Sequence, residues 1–473
     1  MSTVTLEHFT RAAIEIGSFG DNDTLPFDID NRFIKENHTS LATLAYSYFG
    51  ELDSESHTFA AKSINALHVF SERLLVPTGS AGFRISTKIH PFWNIYINGI
   101  GVAIAEANEP QRSVNAHSYR YTSIGHGLFD RTKSWRAYRE ATLNEPRLRE
   151  DNAVVVQTDI SSFYEHIYHH RLENCLKDLF PPESTVAVQI DRFLSKFASG
   201  RSFGLPVGGQ CARILAEVMM SPIDNMLHDA GIVWHRYVDD FTIITDSREN
   251  AYQALAVLSH ALADYGLSLN RTKTTVLGAK HYMDFVRTQL GASSGESSIL
   301  REIDLHFDPY SDSPTADYEK LRDAVQSLDV HTLLELETVK GHPDTFMMAQ
   351  IGRTLRFQSP TIAIQLCKTL LEPKNLNAFR ASWSKIMRGI ASVRAENDNR
   401  DIFDELDELL DRVPIHSPHL LMPEINCLHY LKTVRFRRTT LRAQYVLRVY
   451  NNSSSETVKR ACIECWRLWG RPA

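Results

Sequence analysis

The chain has 473 residues, of which 43% are hydrophobic and 23% are charged, and this composition is ordinary for a soluble globular protein. No stretch reaches the ~18 consecutive apolar residues that a membrane helix requires, and six scattered cysteines make no disulfide framework, so we expect a cytoplasmic protein without a membrane span. The net charge of −6 does not by itself indicate a protein that binds nucleic acid.

The distribution of the charge is more informative than its sum. Residues 112–149 carry eight Lys and Arg against three Asp and Glu, and residues 425–473 carry ten against two. Residues 396–411 form an acidic block. The basic charge is therefore concentrated in two segments of an acidic chain.

The first hundred residues are predicted to be mostly helical. Apolar residues recur at helical spacing over 40–50 and 58–75, and a Pro/Gly-rich break follows at 77–82. Residues 93–106 are predicted to form another apolar helix. No chemistry is visible in this region.

Basic residues and aromatic residues alternate in the next segment, over 111–120 and again over 135–139. This pattern suits a surface that holds phosphates and stacks bases. A solvated basic face is the alternative interpretation.

Two predicted strands carry acidic residues at their ends. Residues 154–159 form an apolar strand that ends in Asp159, and residues 233–245 have the pattern of strand, tight turn and strand, with Asp239 and Asp240 at the turn. Magnesium binds one or two carboxylates together with water and substrate phosphates, so a third carboxylate on a neighbouring strand would complete a two-metal site for phosphoryl transfer. A solvated turn is the usual reading of an Asp-Asp pair, but the hydrophobic hairpin favours the metal site here.

The segments around these strands are also interpretable. The glycine-rich residues 204–209 begin a helix over 210–225, residues 250–265 have the pattern of an amphipathic helix, and residues 267–278 that of a turn and a strand. After a Ser/Gly-rich boundary at 291–298, the chain is predicted to continue to its end as helical hairpins.

Cys462 and Cys465 have the spacing of metal ligands, but no second pair accompanies them. We therefore interpret them as residues of a packed helix, with a zinc site as the alternative.

Four segments resemble, in order and spacing, the motifs of the reverse transcriptases. Residues 159–164 are similar to motif A, residues 203–208 to motif B, residues 237–240 to motif C and residues 267–273 to motif D. The resemblance, which covers residues 75–325, implies an α+β fold of polymerase fingers and a ferredoxin-like palm. It also implies an RNA-directed DNA polymerase.

The resemblance assigns the metal-binding and nucleotide-selecting residues. Asp159, Asp239 and Asp240 would hold two Mg²⁺ ions, for which Mn²⁺ is a possible substitute. The ring of Tyr164 would lie under the sugar of the incoming nucleotide and exclude a 2′-hydroxyl, so the substrates would be dNTPs and the product DNA. A core position is the alternative for Tyr164.

Further substrate contacts follow from the same resemblance. Gly208 and Tyr237 would bind substrate, Lys273 would protonate or neutralise the leaving pyrophosphate, and Arg120 would neutralise the triphosphate from the fingers side. A solvated surface lysine is the alternative for Lys273. Many reverse transcriptases have Gln where this chain has Val207, and this departure puts ordinary nucleotide positioning in doubt.

The step from Ser118 to Arg120, the later tryptophan and residues 307–311 resemble the abortive-infection and defence-associated branch of bacterial reverse transcriptases. That branch implies antiviral defence, a noncoding RNA template and a homo-oligomer. Priming on a protein hydroxyl is a further possibility within it.

The basic C-terminal segment is a candidate RNA-binding surface, with Arg435, Arg437 and Arg438 at its centre. The alternative is that these arginines pair with the acidic block of residues 396–411, in the same chain or in a neighbouring subunit.

We therefore predict N-terminal helices and fingers over 1–150, a palm over 151–295 and an all-α, helical-repeat-like domain over 296–473. The predicted function is that of a reverse transcriptase that makes DNA on an RNA template. The alternatives are an RNA-binding assembly scaffold without synthesis, a template-independent or protein-primed DNA polymerase, and an RNA-templated RNA polymerase, against which Tyr164 argues.

Overall fold

The computed structural model describes the following residues: 3–20, 29–79, 82–125, 127–130, 132–290, 300, 314–341 and 343–470. The predicted segments at 291–298 and 307–311 lie outside these residues. Within the described residues the chain forms two compact units. One comprises the described residues of 1–71 and 87–290, and the other comprises those of 72–86 and 291–473.

The elements are numbered in chain order. The strands are β1 (Ser71–Thr78), β2 (Gly82–Ile89), β3 (Val154–Asp159), β4 (Val233–Tyr237), β5 (Asp240–Thr245) and β6 (Thr275–Gly278). The helices up to residue 290 are α1 (Leu6–Phe19), α2 (Ile29–Asp53), α3 (His57–Ala66), α4 (Pro91–Asn108), α5 (Trp135–Leu143), α6 (Phe163–His166), α7 (His169–Lys177), α8 (Val186–Phe197), α9 (Gln210–Asp229), α10 (Arg248–Asp264) and α11 (Ala279–Gln289). The later helices are α12 (Pro314–Gln326), α13 (Val330–Thr338), α14 (Thr345–Thr354), α15 (Pro360–Leu371), α16 (Pro373–Ala378), α17 (Trp383–Val393), α18 (Phe403–His416), α19 (Glu424–Val434), α20 (Thr440–Asn452) and α21 (Glu456–Leu468).

The larger unit is built on a four-stranded sheet in the order β4-β5-β3-β6. All three strand pairings are antiparallel, and Asp159 lies directly opposite Asp240 in the register of β3 and β5. The strands form here because their residues are largely β-branched and apolar, which suits a pleated sheet that is buried on both faces.

Alternate residues of the strands pack on opposite faces of this sheet. Val156 and Ile243 belong to the large core that includes the apolar residues of α9 and α10. Val155 and Ile244 belong to a smaller core with Tyr282 of α11. Because side chains alternate along a strand, Asp159 and Asp240 share the face of this smaller core.

The smaller unit contains the β1-β2 hairpin and the helices from α12 onwards. The prediction of a helix over 58–75 is wrong in its second half, because α3 ends at Ala66 and β1 begins at Ser71. The C-terminal helices stabilise the hairpin, since Glu424 accepts a hydrogen bond from the backbone N–H of Leu75 at 3.0 Å and Arg380 donates to the carbonyl of Gly82 at 3.1 Å. Periodicity within 58–75 contains no information about these distant partners.

The predicted fold class is confirmed: a mixed helix and sheet region is followed by a helical C-terminal region. Across the part of the chain that the structure describes, no helix is both long enough and apolar enough to cross a membrane.

Candidate active site

The turn between β4 and β5 presents the two adjacent aspartates. Only Val238 and Asp239 separate the strands, and Val238 has a positive φ of 60°. A β-branched residue rarely adopts this conformation, which costs of order 1–3 kcal/mol. It persists only where the surrounding structure holds the backbone in place. The backbone N–H of Val238 donates to Ser118 Oγ at 2.9 Å, and its carbonyl accepts from Arg236 Nη1 at 3.2 Å.

A buried charge network supports these two contacts. We call it the turn network, and its members are Arg112, Ser118, Glu217, Asp224 and Arg236. Arg236 is fully buried and bonds both oxygens of Asp224 at 2.7 Å, while its Nη1 lies 2.9 Å from Glu217 Oε2. Arg112 Nη2 lies 2.6 Å from the same Glu217 oxygen. The strained turn is therefore held at the N–H of Val238 by the buried Ser118 and at its carbonyl by the fully buried Arg236.

Glu217 shows how the turn network is balanced. Burial opposes its ionisation, but Arg236 and Arg112 together hold the pKa of Glu217 below its usual value. Its second oxygen accepts a hydrogen bond from Ser118 Oγ at 2.5 Å. One ionised carboxylate thus orients both the serine and the arginine that bind the turn.

The three predicted aspartates come together at one end of the sheet. Asp159 ends β3 opposite Asp240, and the backbone N–H of Ile160 donates to the carbonyl of Asp239 at 3.3 Å. Burial, followed by the nearby charges of Asp240 and Asp159, raises the pKa of Asp239 to about 7. Partial desolvation and the charge of Asp159 also raise the pKa of Asp240. The cluster therefore carries more negative charge than its surroundings neutralise.

Lys273 supplies a cation to this cluster. Its Nζ hydrogen-bonds Asp159 Oδ2, and this bond raises the pKa of Lys273. The segment is held in place because the backbone N–H of Asn270 donates to the carbonyl of Asp159 at 2.7 Å. The structure thus brings Lys273 together with the aspartates, as the sequence predicts, although its role stays a prediction.

The donor set fits hard divalent cations. The charges of neighbouring carboxylates contribute to the raised pKa values of Asp239 and Asp240, a bound cation would relieve this repulsion, and Mg²⁺ prefers oxygen ligands. Within the described residues, no group of three His, Cys, Asp or Glu side chains is arranged to hold a metal by itself. A protein-only cage is not required, because Mg²⁺ usually keeps several waters and binds substrate phosphates.

Tyr164 and the glycine-rich loop lie beside the turn. Phe163 is buried in the core, whereas Tyr164 is only partly buried, and burial followed by the charge of Tyr119 raises the pKa of Tyr164. The carbonyl of Tyr164 accepts a hydrogen bond from the backbone N–H of Leu205 at 2.8 Å. Gly208 has a φ of 118°, which a side chain rarely allows.

Of two other predicted substrate contacts, Tyr237 lies near another aromatic ring and Arg120 bonds protein groups. Tyr237, the last residue of β4, has its ring centroid 6.4 Å from that of Tyr119. Arg120 is occupied locally: its Nε bonds Glu109 at 2.5 Å, and its Nη1 bonds the carbonyls of Ser113 and Ala116. Contact of Arg120 with a triphosphate stays a prediction.

The arginines predicted to bind RNA fall into two groups in the smaller unit. Arg437 bonds Asp404 and lies 3.2 Å from Asp407, so the alternative of pairing with the acidic block is observed for this residue. Arg438 is exposed, and Arg435 is partly buried with its guanidinium 5.3 Å from the ring centroid of Phe436.

Two aspartates of the acidic block, Asp407 and Asp411, also bond Arg394 and Arg442. We call this set the helix-end cluster, and its members are Arg394, Asp407, Asp411, Arg437 and Arg442. The fully buried Arg442 bonds Asp407 at 2.8 Å and Asp411 at 2.5 Å. Cys462 and Cys465 are free and buried in α21.

The comparison with family models gives one match. The model described as reverse transcriptase (RNA-dependent DNA polymerase) matches residues 113–290. These residues therefore form a reverse transcriptase domain, the catalytic domain of RNA-directed DNA polymerases, and this family normally uses divalent metal ions. The four predicted motifs and the three aspartates lie inside the matched range.

Among the solved structures that also match are two telomerases. Apo telomerase from Candida tropicalis is 11% identical, with a TM-score of 0.33, and the match covers 76% of this chain and 74% of that chain. Telomerase from Candida albicans in complex with the TWJ fragment of telomeric RNA is 13% identical, with a TM-score of 0.34, and the match covers 73% and 65% respectively. Such distant likenesses carry no information on function. Comparison with curated proteins gives no match.

Proposed function

We propose that this chain synthesises DNA from dNTPs on an RNA template, with Mg²⁺ bound by Asp159, Asp239 and Asp240. The observation that carries the proposal is the meeting of these three carboxylates at one end of the sheet, inside a reverse transcriptase domain. Divalent ions bound there supply Lewis-acid stabilisation of the charge that develops during phosphoryl transfer.

In this proposal, the residues around the three aspartates bind the substrates. Lys273 neutralises or protonates the leaving pyrophosphate, since its ammonium already lies against Asp159. The ring of Tyr164 selects against a 2′-hydroxyl, and its partial exposure beside the turn supports this. Tyr237 and Gly208 position the base pair, and Arg120 contributes positive charge on the fingers side.

The biological setting is a further part of the proposal. The resemblance of residues 118–120 to defence-associated bacterial enzymes supports a role in antiviral defence on a dedicated noncoding RNA. Arg438 and Arg435, with the exposed Phe436, provide the RNA contacts of the smaller unit, while Arg437 is shared with the acidic block. A homo-oligomer and a cytoplasmic location complete the proposal, the latter supported by six free cysteines.

Two other functions fit parts of the molecule. A scaffold that binds RNA without synthesis does not require three neighbouring carboxylates, two of which have raised pKa values because of burial and the repulsion of their neighbours. A protein-primed DNA polymerase would use the same aspartates and extend a protein hydroxyl, and a template-independent one would use them without a template. The polymerase that copies RNA is favoured because the matched domain is of that class.

The test is incorporation of labelled dNTPs on a short RNA template with a DNA primer. Asp239→Ala combined with Asp240→Ala should abolish incorporation and leave the fold intact, because removing repelling carboxylates costs little stability. Asp246→Ala, which changes an exposed aspartate at the other end of β5, is the matched control. Unchanged incorporation by the double variant would refute the proposal. Incorporation without template or primer would favour the alternative polymerases.

A further inference from the structure

Arg139 on α5 is a buried cation that neither the motifs nor the family match assigns to a role. Its exposed fraction is 8%, and its Nε and Nη1 atoms are sealed from solvent without a hydrogen-bond partner among the described residues. Buried donors are rarely left unpaired, since they lose their bonds to water and gain nothing in exchange. An unpaired buried guanidinium is therefore a candidate binding group.

The other buried arginines of this unit provide a contrast. Arg236 and Arg112 each bond at least one buried carboxylate. On α5 itself, the exposed Arg136 pairs with Glu140 at 2.9 Å. Arg139 has no carboxylate bonded to it within the described part of the chain, so its charge is available to an anion from outside the protein.

Two aromatic rings hold this guanidinium in place. Its Cζ lies 5.0 Å from the ring centroids of both Trp135 and Tyr138. Tyr138 is itself fixed, because it is fully buried and its hydroxyl lies 2.7 Å from Thr242 Oγ1. A stacked guanidinium keeps its donors in a rigid plane, which suits phosphate oxygens.

Thr242 places Arg139 beside the aspartates. It lies two residues after Asp240 on β5, so both side chains are on the same face of the sheet, over which α5 packs. Tyr138, the residue before Arg139, therefore contacts β5 two residues after Asp240. Lys273 bonds Asp159 on β3, and Arg139 lies on the helix that contacts β5 through Tyr138.

We propose that Arg139 binds a backbone phosphate of the nucleic-acid strand whose 3′ hydroxyl is extended. The inference rests on the proposed function, in which Lys273 on the β3 side already faces the leaving pyrophosphate. Phosphoryl transfer brings a second anion to the site besides the pyrophosphate, namely the phosphodiester of the growing strand. Arg139 is the cation near Asp240 that can bind it. Nη2, the guanidinium nitrogen that is not sealed, gives that phosphate its first contact.

The test measures binding before chemistry. A fluorescent DNA primer annealed to a short RNA template is titrated with the full chain in Mg²⁺ without nucleotides, and anisotropy gives Kd at several salt concentrations. Arg139→Gln should weaken binding roughly tenfold to a hundredfold, the loss expected for one charge-assisted hydrogen bond. The slope of log Kd against log salt should fall by about one, because one phosphate contact is lost.

Two further variants and one kinetic measurement test whether the effect is specific to the guanidinium of Arg139. Arg136→Gln removes the same charge from the exposed face of α5 and should leave Kd and the slope unchanged. Arg139→Lys keeps the charge and loses the planar fork, so it should weaken binding less than Arg139→Gln does. At saturating primer, the KM for dNTP should stay within about twofold of wild type.

Several outcomes would overturn the inference. If Arg139→Gln has the wild-type Kd and the wild-type slope of log Kd against log salt, Arg139 does not contact a phosphate. A raised KM for dNTP with unchanged primer affinity would assign Arg139 to the triphosphate instead. If Arg139→Gln does not fold, Arg139→Lys decides alone, and wild-type binding by that variant would contradict the proposal. A wild-type chain that binds primer and template but adds no nucleotide would refute the polymerase function, while the binding comparison would still stand.

Discussion

The turn network and the helix-end cluster both pair arginines with buried carboxylates, but they hold different parts of the molecule in place. In the turn network, Arg236 and Ser118 bond the backbone of Val238, whose positive φ is unfavourable without them. In the helix-end cluster, Arg442 on α20 bonds Asp407 and Asp411 on α18 and no strained residue is involved. The first set therefore fixes the geometry of a candidate active site, and the second fixes the packing of helices.

The largest effect is expected in the turn network, for Arg236→Met. Its loss leaves Asp224 buried and unpaired, which should lower the free energy of unfolding by about 3–5 kcal/mol. Small displacement of the aspartates should also lower nucleotide incorporation by about 100-fold in the folded fraction. Chemical denaturation and single-turnover incorporation measure the two losses. Arg248→Met, at an exposed position in the same unit, should change neither.

A smaller and purely structural effect is expected in the helix-end cluster, for Arg442→Met. Arg394 and Arg437 still neutralise Asp407, so mainly Asp411 is left unpaired, and the loss should be about 3 kcal/mol, at the low end for a broken buried pair. Incorporation on an added primer and template should survive. The exposed Arg412→Met is the control for denaturation. If Arg442→Met and Arg236→Met lower incorporation equally, the distinction between the two sets is wrong.

The smallest effect is expected for Asp239→Asn, and here removal of a charge should stabilise the protein. Unlike the carboxylates of the two sets above, Asp239 lies among negative charges that nearby cations do not fully neutralise. Its folded pKa of about 7 exceeds the unfolded value of about 3.9, so the folded state binds the extra proton. The stability that this proton provides is present below pH ~4 and is lost as the pH rises through about 7. Without metal, Asp239→Asn should therefore melt at a higher temperature than wild type, by a margin that grows up to about pH 7 and then levels off.

Thermal unfolding at several pH values measures that margin, and Asp246→Asn is the control. Addition of Mg²⁺ at pH 8 should raise the melting temperature of wild type and reduce the margin, since the ion neutralises the aspartates. A margin that shrinks with rising pH would contradict the assignment of the raised pKa to Asp239.

The sequence predicts those parts of the site that lie in contiguous segments. The hairpin of β4 and β5 and the strand that ends in Asp159 were accessible because each depends on a local pattern of apolar residues and a turn, whereas Lys273 was assigned through the resemblance of residues 267–273 to motif D. Arg236 is a signal that could have pointed to the turn network, because an arginine in the middle of an apolar strand requires a buried partner.

The residues that hold the site in position could not be predicted from local sequence patterns. Ser118 and Glu217 bond each other across 99 positions of the chain, and no periodicity within either segment specifies that pairing. The error at β1 has the same origin, because its partners lie on the C-terminal helices. Local pattern thus predicts which groups react, and the tertiary fold determines what holds them in position.

The hairpin also has a consequence for biosynthesis. Glu72 accepts a hydrogen bond from the backbone N–H of Thr457 at 3.0 Å, and Leu75 donates to Glu424, so the partners of this hairpin are synthesised 349 to 385 residues after it. At ribosomal speeds of roughly 5–20 residues per second, β1 waits on the order of 20–80 s for these helices. During that interval the nascent hairpin exposes unpaired strand edges, and a chain released early would retain that exposure permanently.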